Sequence, residues 1–179
     1  IAYSCLLRAA VYDAKGEHVK AFELLRANAD LSWVKEQDPD TLHWIGLFQY
    51  WTKINTYVNR LMSGDVSVLP DYVEYIEGKK EIFAELLNVI EAANHYNIDV
   101  DYILERFEPQ IAAYQEPSSD DTYTQQVLTE QYVRFWYKLA SYKLNKSKYS
   151  YGFECLLITW GKALTINNEL IISNLCTII

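Results

Sequence analysis

The stretch AVYDAKGEHVKAFELL, residues 10–25, constrains the fold more than any other. Apolar residues recur at helical spacing on both sides of Lys15, Gly16, Glu17 and His18, so one helix ends there and another begins at once. Two helices joined by so few residues lie antiparallel and pack against each other. Tyr3, Leu6, Leu7, Ala10 and Val11 make the stripe of the first; Val19, Phe22 and Leu25 make that of the second. The small side chains of Ala9 and Ala21 let the two backbones approach closely, with Tyr12 placed to cover the crossing. Gly16 suits the left-handed conformation that caps helix-end carbonyls.

The rest of the chain reads the same way. Half of its 179 residues are apolar and 15% aromatic, with only 6 glycines and 4 prolines, which favours long helices over many short strands. Asp40 is a candidate N-cap for a helix from Thr41 to Met62, with a stripe of Trp44, Leu47, Phe48, Trp51, Ile54, Val58 and Leu61. Pro70 and Asp71 start a short helix that stops near Gly78. Residues 79–95 are periodic, Asp99 is placed to cap the next helix, and Asp121 or Thr122 to cap a long one ending near Leu144. Another runs from Tyr149 to about Ile166, and Asn168 opens the last. The polar stretch 115–121 is expected to be a flexible loop. The reading is therefore all-α, about eight helices and no strand, in one helical-repeat domain spanning 1–179. The apolar ending NLCTII, like the chain's start, is expected to continue into a longer protein.

Charge narrows the functions available. Residues 1–64 carry seven bases and seven acids, residues 65–130 three and fifteen, and residues 131–179 six and two. An acidic middle repels phosphate backbones, so the chain is not expected to grip nucleic acid by itself. Apolar runs are too short to span a bilayer, and no membrane association is expected. Cys5, Cys155 and Cys176 lie far apart in apolar sequence, which suits reduced core thiols in a cytoplasmic protein. No cysteine or histidine pair has metal-ligand spacing, so no metal or other cofactor is expected. Zincin, nucleophile-elbow, phosphate-loop and dinucleotide signatures are all missing, and no enzymatic activity is expected. Asp99 and Asp101 fit helix-cap and first-turn roles better than a shared carboxylate site.

The opening pattern returns near the end of the chain. In FWYKLASYKLNKSKYSYGFECLL, residues 135–157, Trp136, Leu139 and Ala140 lie on a first helix and Gly152 and Leu156 on a second, after a turn containing Tyr149. In both copies the small residue of the first helix precedes that of the second by twelve positions, and a leucine follows four later: Ala9, Ala21 and Leu25, then Ala140, Gly152 and Leu156. This resembles the tetratricopeptide repeat, a helix–turn–helix unit with small residues at the helix crossing. The first copy departs from it at Cys5 and Arg8, and the second at Lys143, where tyrosine is usual. The resemblance implies a right-handed stack of antiparallel helix pairs.

The stretches ADLSWVKE, INTYVNRLMSGDVSVLPDYVEYI and ELLNVIEAANHYNIDVDYILERF resemble a second and narrower group. They are similar to the C-terminal part of helix-turn-helix transcriptional regulators of Gram-positive bacteria, including the Rgg-like and PlcR-like peptide-responsive proteins. That resemblance implies a sensor domain that binds a short peptide or protein segment and forms a homodimer, reaching DNA only through a domain outside this chain. In the repeat register, the concave side of the stack would show Tyr3, Leu6, Ala10 and Asp13 from the first copy, and Arg134, Tyr137, Ser141 and Leu144 from the last. Trp51, Asn55 and Asn59, four apart on one helix face, join them. Asparagines so placed can clamp a peptide backbone, and Arg134 can hold a carboxylate. The expected peptide site is Trp51, Asn55, Asn59, Arg134, Tyr137 and Ser141. The alternative is a scaffold or dimerisation module that binds a protein partner and takes no small ligand.

Overall fold

A computed structural model of the chain describes residues 2–114, 122–166 and 169–175. Among these residues the fold is all-α, with nine α-helices, one 3₁₀ turn and no strand. The helices are α1 (Ala2–Ala14), α2 (His18–Ala29), α3 (Pro39–Met62), α4 (Leu69–Ile76), α5 (Phe83–Tyr96), α6 (Asp101–Ala112), α7 (Thr122–Asn145), α8 (Tyr149–Thr165) and α9 (Glu169–Leu175), with the 3₁₀ turn at Val66–Val68. The chain forms two compact units, Ile1–Tyr75 and Ile76–Ile179. The loop expected at 115–121, Cys176, Asn168 and the NLCTII ending fall wholly or partly outside the described residues, as does the Asp121 cap.

The break in the opening stretch is a helix stop of defined geometry. Gly16 has φ 74°, its N–H donates to the Asp13 carbonyl at 2.9 Å, and the Glu17 N–H donates to the Tyr12 carbonyl at 2.9 Å. These two bonds satisfy carbonyls that the end of α1 leaves open and turn the chain back into α2. The same bonds recur at the α7–α8 turn, 131 positions later: Ser147 N–H to the Leu144 carbonyl and Lys148 N–H to the Lys143 carbonyl, both 2.9 Å. Ser147 takes the glycine's place at φ 58°. A side chain in that region is strained by about 1 kcal/mol. Ser147→Gly is therefore expected to stabilise the protein by about that amount, read as a rise of a few degrees in melting temperature.

In the first unit, Leu6, Ala9, Ala21 and Leu25 make the core between α1 and α2, with Tyr12, Leu24, Phe48 and Trp51 packed against it. Leu6 therefore does not line an open groove as expected; it is 8% exposed and points into the hairpin. The cap of α3 is Asp38 rather than the expected Asp40. Asp38 Oδ1 accepts from the Thr41 N–H at 3.0 Å, and Oδ2 from the Thr41 hydroxyl at 2.7 Å. Pro39 is the reason. It has the φ of a first helical residue and no N–H to satisfy, which moves the cap one residue before it.

In the second unit, α7 packs against both α5 and α8. Phe83, Leu86 and Ile90 of α5 and Phe135, Leu139 and Ala140 of α7 are all buried, and Phe83 meets Phe135 edge-on at 5.1 Å. Ala140 and Gly152 are both buried, as are Ala9 and Ala21 in the first unit, and Gly152 of α8 lies against Leu144 of α7. A Cβ on Gly152 would stand 2.6 Å from Leu144 Cδ2, which explains a residue smaller than alanine there. Two expectations are corrected. The helix expected from Lys79 begins only at Phe83, with buried Ile82 at its cap position. Asp99 is not the cap of α6: Val100 holds that position, and Asp99 Oδ1 accepts the Asp101 N–H at 2.9 Å in a tight local turn.

Candidate functional site

The six residues expected to hold a peptide fall into two sets of three, one in each unit. In the first unit, Trp51 is half-buried on the hairpin core and meets Phe48 edge-on at 5.5 Å. Asn55 Nδ2 donates to the carbonyl of Trp51 at 2.9 Å, one turn back on its own helix. Asn59 is only 3% exposed. Its Nδ2 donates to Asp13 Oδ1 at 2.6 Å and to the His18 carbonyl at 2.9 Å. His18 Nδ1 lies 2.9 Å from the same Asp13 oxygen, so the three side chains brace the α1–α2 turn against α3. In the second unit, Arg134 is exposed with Nη2 3.9 Å from Glu91 Oε1, Tyr137 is half-buried, and Ser141 Oγ lies 3.4 Å from the Tyr137 carbonyl.

A cavity of about 230 Å³ opens in the second unit between α6, α7 and α8. Leu104, Ile111 and Leu139 form its apolar floor; Asp101, Glu105, Glu108, Lys143, Lys148 and Tyr151 complete it. Asp101 begins α6, where a carboxylate is favoured by the helix dipole. The hydroxyl of Tyr142, 1% exposed, accepts the Val100 N–H at 3.1 Å and fixes that helix start against α7. Burial pushes the Tyr142 hydroxyl's pKa up to about 12, so it stays neutral.

The charges in this cavity are ordered. Lys143, 5% exposed, donates from Nζ to Asp101 Oδ1 at 2.6 Å, and Lys148 Nζ donates to Oδ2 at 2.6 Å. Burial alone would raise the pKa of Asp101, but the hydrogen bonds and charges of the two lysines outweigh it and hold the carboxyl at about 2. Lys143 Nζ also lies 5.0 Å from the centre of the Tyr151 ring. Glu105 and Glu108 accept no hydrogen bond and close no ion pair among the described residues, and both are exposed. Pro109 lacks the N–H that would bond the Glu105 carbonyl in a regular helix.

Sequence reasoning does not single out this cavity. Two signals for it are present: carboxylates at 101, 105 and 108, which share a helix face, and Lys143, which breaks the repeat pattern where tyrosine is usual. In the first unit, Tyr3, Trp33, Trp44 and Phe48 border an apolar cleft of about 300 Å³, and Asn59 borders a third hollow of about 250 Å³ beside His18 and Phe22. None of the other five expected peptide residues lines any of these three spaces. On α8, Phe153, Leu157, Trp160 and Leu164 form an exposed apolar stripe. Cys155 beneath it is buried, and burial pushes its thiol up to about 12, the condition of an inert core cysteine. No cluster of three metal-ligating side chains occurs among the described residues, and none of their helices is long and apolar enough to cross a membrane.

Comparison with protein families, curated proteins and solved structures finds no match to this chain.

Proposed function

We propose that this chain is the ligand-sensing and protein-interaction domain of a transcriptional regulator, taking a short peptide and dimerising, with DNA contacted through a domain outside this sequence. In this reading each unit is built from tetratricopeptide-like antiparallel helix pairs stacked in a right-handed sense. The matched turns at Gly16 and Ser147 support the repeat, because the same two capping bonds close both hairpins. The burial of the small residues Ala9, Ala21, Ala140 and Gly152, at matching places in the two hairpins, supports it as well.

The observation that carries the ligand reading is the cavity between α6, α7 and α8, with an apolar floor beneath a charged rim. At about 230 Å³ it is smaller than the roughly 300–1,000 Å³ of sites that enclose whole small molecules. It suits one side chain of a longer ligand whose remainder lies across the surface. A peptide wedged between α6 and the α7–α8 hairpin would favour one spacing of these helices over others, which is the differential affinity a switch requires. Peptide that binds only the folded protein raises its melting temperature, by about 2.7 kcal/mol of added stability at a hundredfold excess over Kd. A thermal-shift screen of synthetic peptides is expected to show such rises; no response to any peptide would end the ligand reading.

The exposed α8 stripe favours the second reading, a dimerisation module without a small ligand. Apolar side chains so exposed and contiguous are a common mark of an interface. Concentration-dependent dimerisation without any peptide response would select it.

A further inference from the structure

We infer that the α6–α7–α8 cavity selects a basic side chain, so that the ligand is a cationic peptide with an arginine or lysine inserted beside Glu105 and Glu108. This inference rests on the peptide-binding reading above and adds the chemistry of the ligand to it.

The charge of the cavity decides the sign. Asp101 lies between Lys143 and Lys148, and both ammonium groups point at its two oxygens from 2.6 Å. Those three groups already satisfy one another, and they leave one positive charge. Glu105 and Glu108, one turn apart on α6, bring two negative charges; neither closes an ion pair among the described residues, although the Glu105 charge helps to raise the Lys148 pKa. The lining therefore carries a net negative charge, and its unmatched groups are acceptors. Both lysines are already committed to Asp101, which leaves an incoming anion no free cation in the lining. An incoming cation meets two open carboxylates.

The shape fits the same ligand. Leu104, Ile111 and Leu139 offer an apolar surface beneath those carboxylates. Arginine and lysine side chains combine a long apolar stem with a terminal donor group, so the stem covers the floor while the head reaches the rim. A guanidinium adds several donors in a fixed fork, which matches a pair of carboxylates better than a single point charge does. The wider field agrees, since residues 76–179, the unit that holds the cavity, carry nine bases against fourteen acids. That excess attracts a cationic partner before contact.

The test uses pools of short capped peptides with apolar residues at every position but one. That position is held as arginine, as its neutral isostere citrulline, or as glutamate, and binding to the full chain is read by fluorescence anisotropy. The arginine pool is expected to bind about tenfold more tightly than the citrulline pool, with the glutamate pool weakest. A Glu105→Gln, Glu108→Gln double variant is expected to bring the arginine and citrulline pools within about twofold of each other, whereas Glu130→Gln, at an exposed position of the same unit that does not line the cavity, keeps the preference. Both positions are exposed, and glutamine matches glutamate in helix propensity, so the double variant keeps its fold. Equal binding of the arginine and citrulline pools, or tightest binding of the glutamate pool, would overturn the cationic ligand and leave peptide binding standing. A preference that survives the double variant would overturn the assignment to these two carboxylates. Failure of every pool to bind would overturn the peptide reading itself.

Discussion

Asp101→Ala is expected to destabilise the second unit by about 3–5 kcal/mol. The substitution leaves the Lys143 ammonium buried, with only 6% of its side chain exposed and no carboxylate facing it. Lys148 loses the same partner, but half of its side chain is in water and the cost there is small. Asp99→Ala is the control. Its carboxylate accepts one exposed backbone N–H, so its loss costs about 1 kcal/mol. Urea unfolding read by far-UV circular dichroism separates the two variants. Equal stabilities would mean that the Asp101–Lys143 pair does not hold α6 to α7.

The same pair sets an acid dependence with a definite sign. The Asp101 carboxyl titrates near 2 in the folded protein against 3.8 for the free side chain, so folding favours its ionised form. The stability this contributes is fully present above pH 3.8 and is lost as pH falls through about 2. A carboxyl held that far below its free value contributes about 2.5 kcal/mol to folding. Asp101→Asn is expected to remove this part of the acid dependence, so its stability changes less than that of the unmodified protein between pH 4 and pH 2.

Phe135→Ala is expected to cost about 3–5 kcal/mol, because it empties a closely packed site. Phe135 is fully buried between α5 and α7 and meets Phe83 edge-on at 5.1 Å and Trp136 at 5.4 Å. Phe153→Ala removes an equal side chain from α8, where Phe153 is 57% exposed, and is expected to change stability by about 0.5 kcal/mol or less. The difference between the two variants measures packing, since both remove the same ring from a helix. It should be read as a lower urea midpoint with an unchanged slope. Similar midpoints for both would contradict the placement of α7 in the core.

The parts of the fold legible in the sequence are those decided locally. The α1–α2 hairpin can be read because helical spacing stops and restarts around one glycine, and a left-handed residue is what that turn needs. Its second copy is legible through the spacing of Ala140, Gly152 and Leu156, although a serine occupies the turn. The cap of α3 is ambiguous by two positions because Asp38 and Asp40 are chemically alike and only Pro39 separates them. Residues 79–82 keep a helical period without being helical, since Ile82 is buried at the entrance to α5 rather than inside it.

The site is less legible, for a different reason. Trp51, Asn55 and Asn59 do share a helix spacing, but spacing does not say which face meets a neighbour. Asn59 is enclosed because Asp13 and His18 of the α1–α2 turn stand over α3. The charged cavity depends on Asp101 meeting Lys143, 42 positions away, and no local pattern fixes such a pairing. Lys143 is the visible sign, since it stands where the repeat that this stretch resembles usually has tyrosine, and a charge buried there needs a partner from elsewhere.

Nuclear magnetic resonance mapping of the tightest-binding peptide tests the central claim most directly. Amide shifts are expected at Leu104, Glu105, Glu108, Lys143 and Tyr151 around the cavity, saturating with peptide concentration. Shifts confined to residues 1–75, with those five amides unmoved, would contradict it.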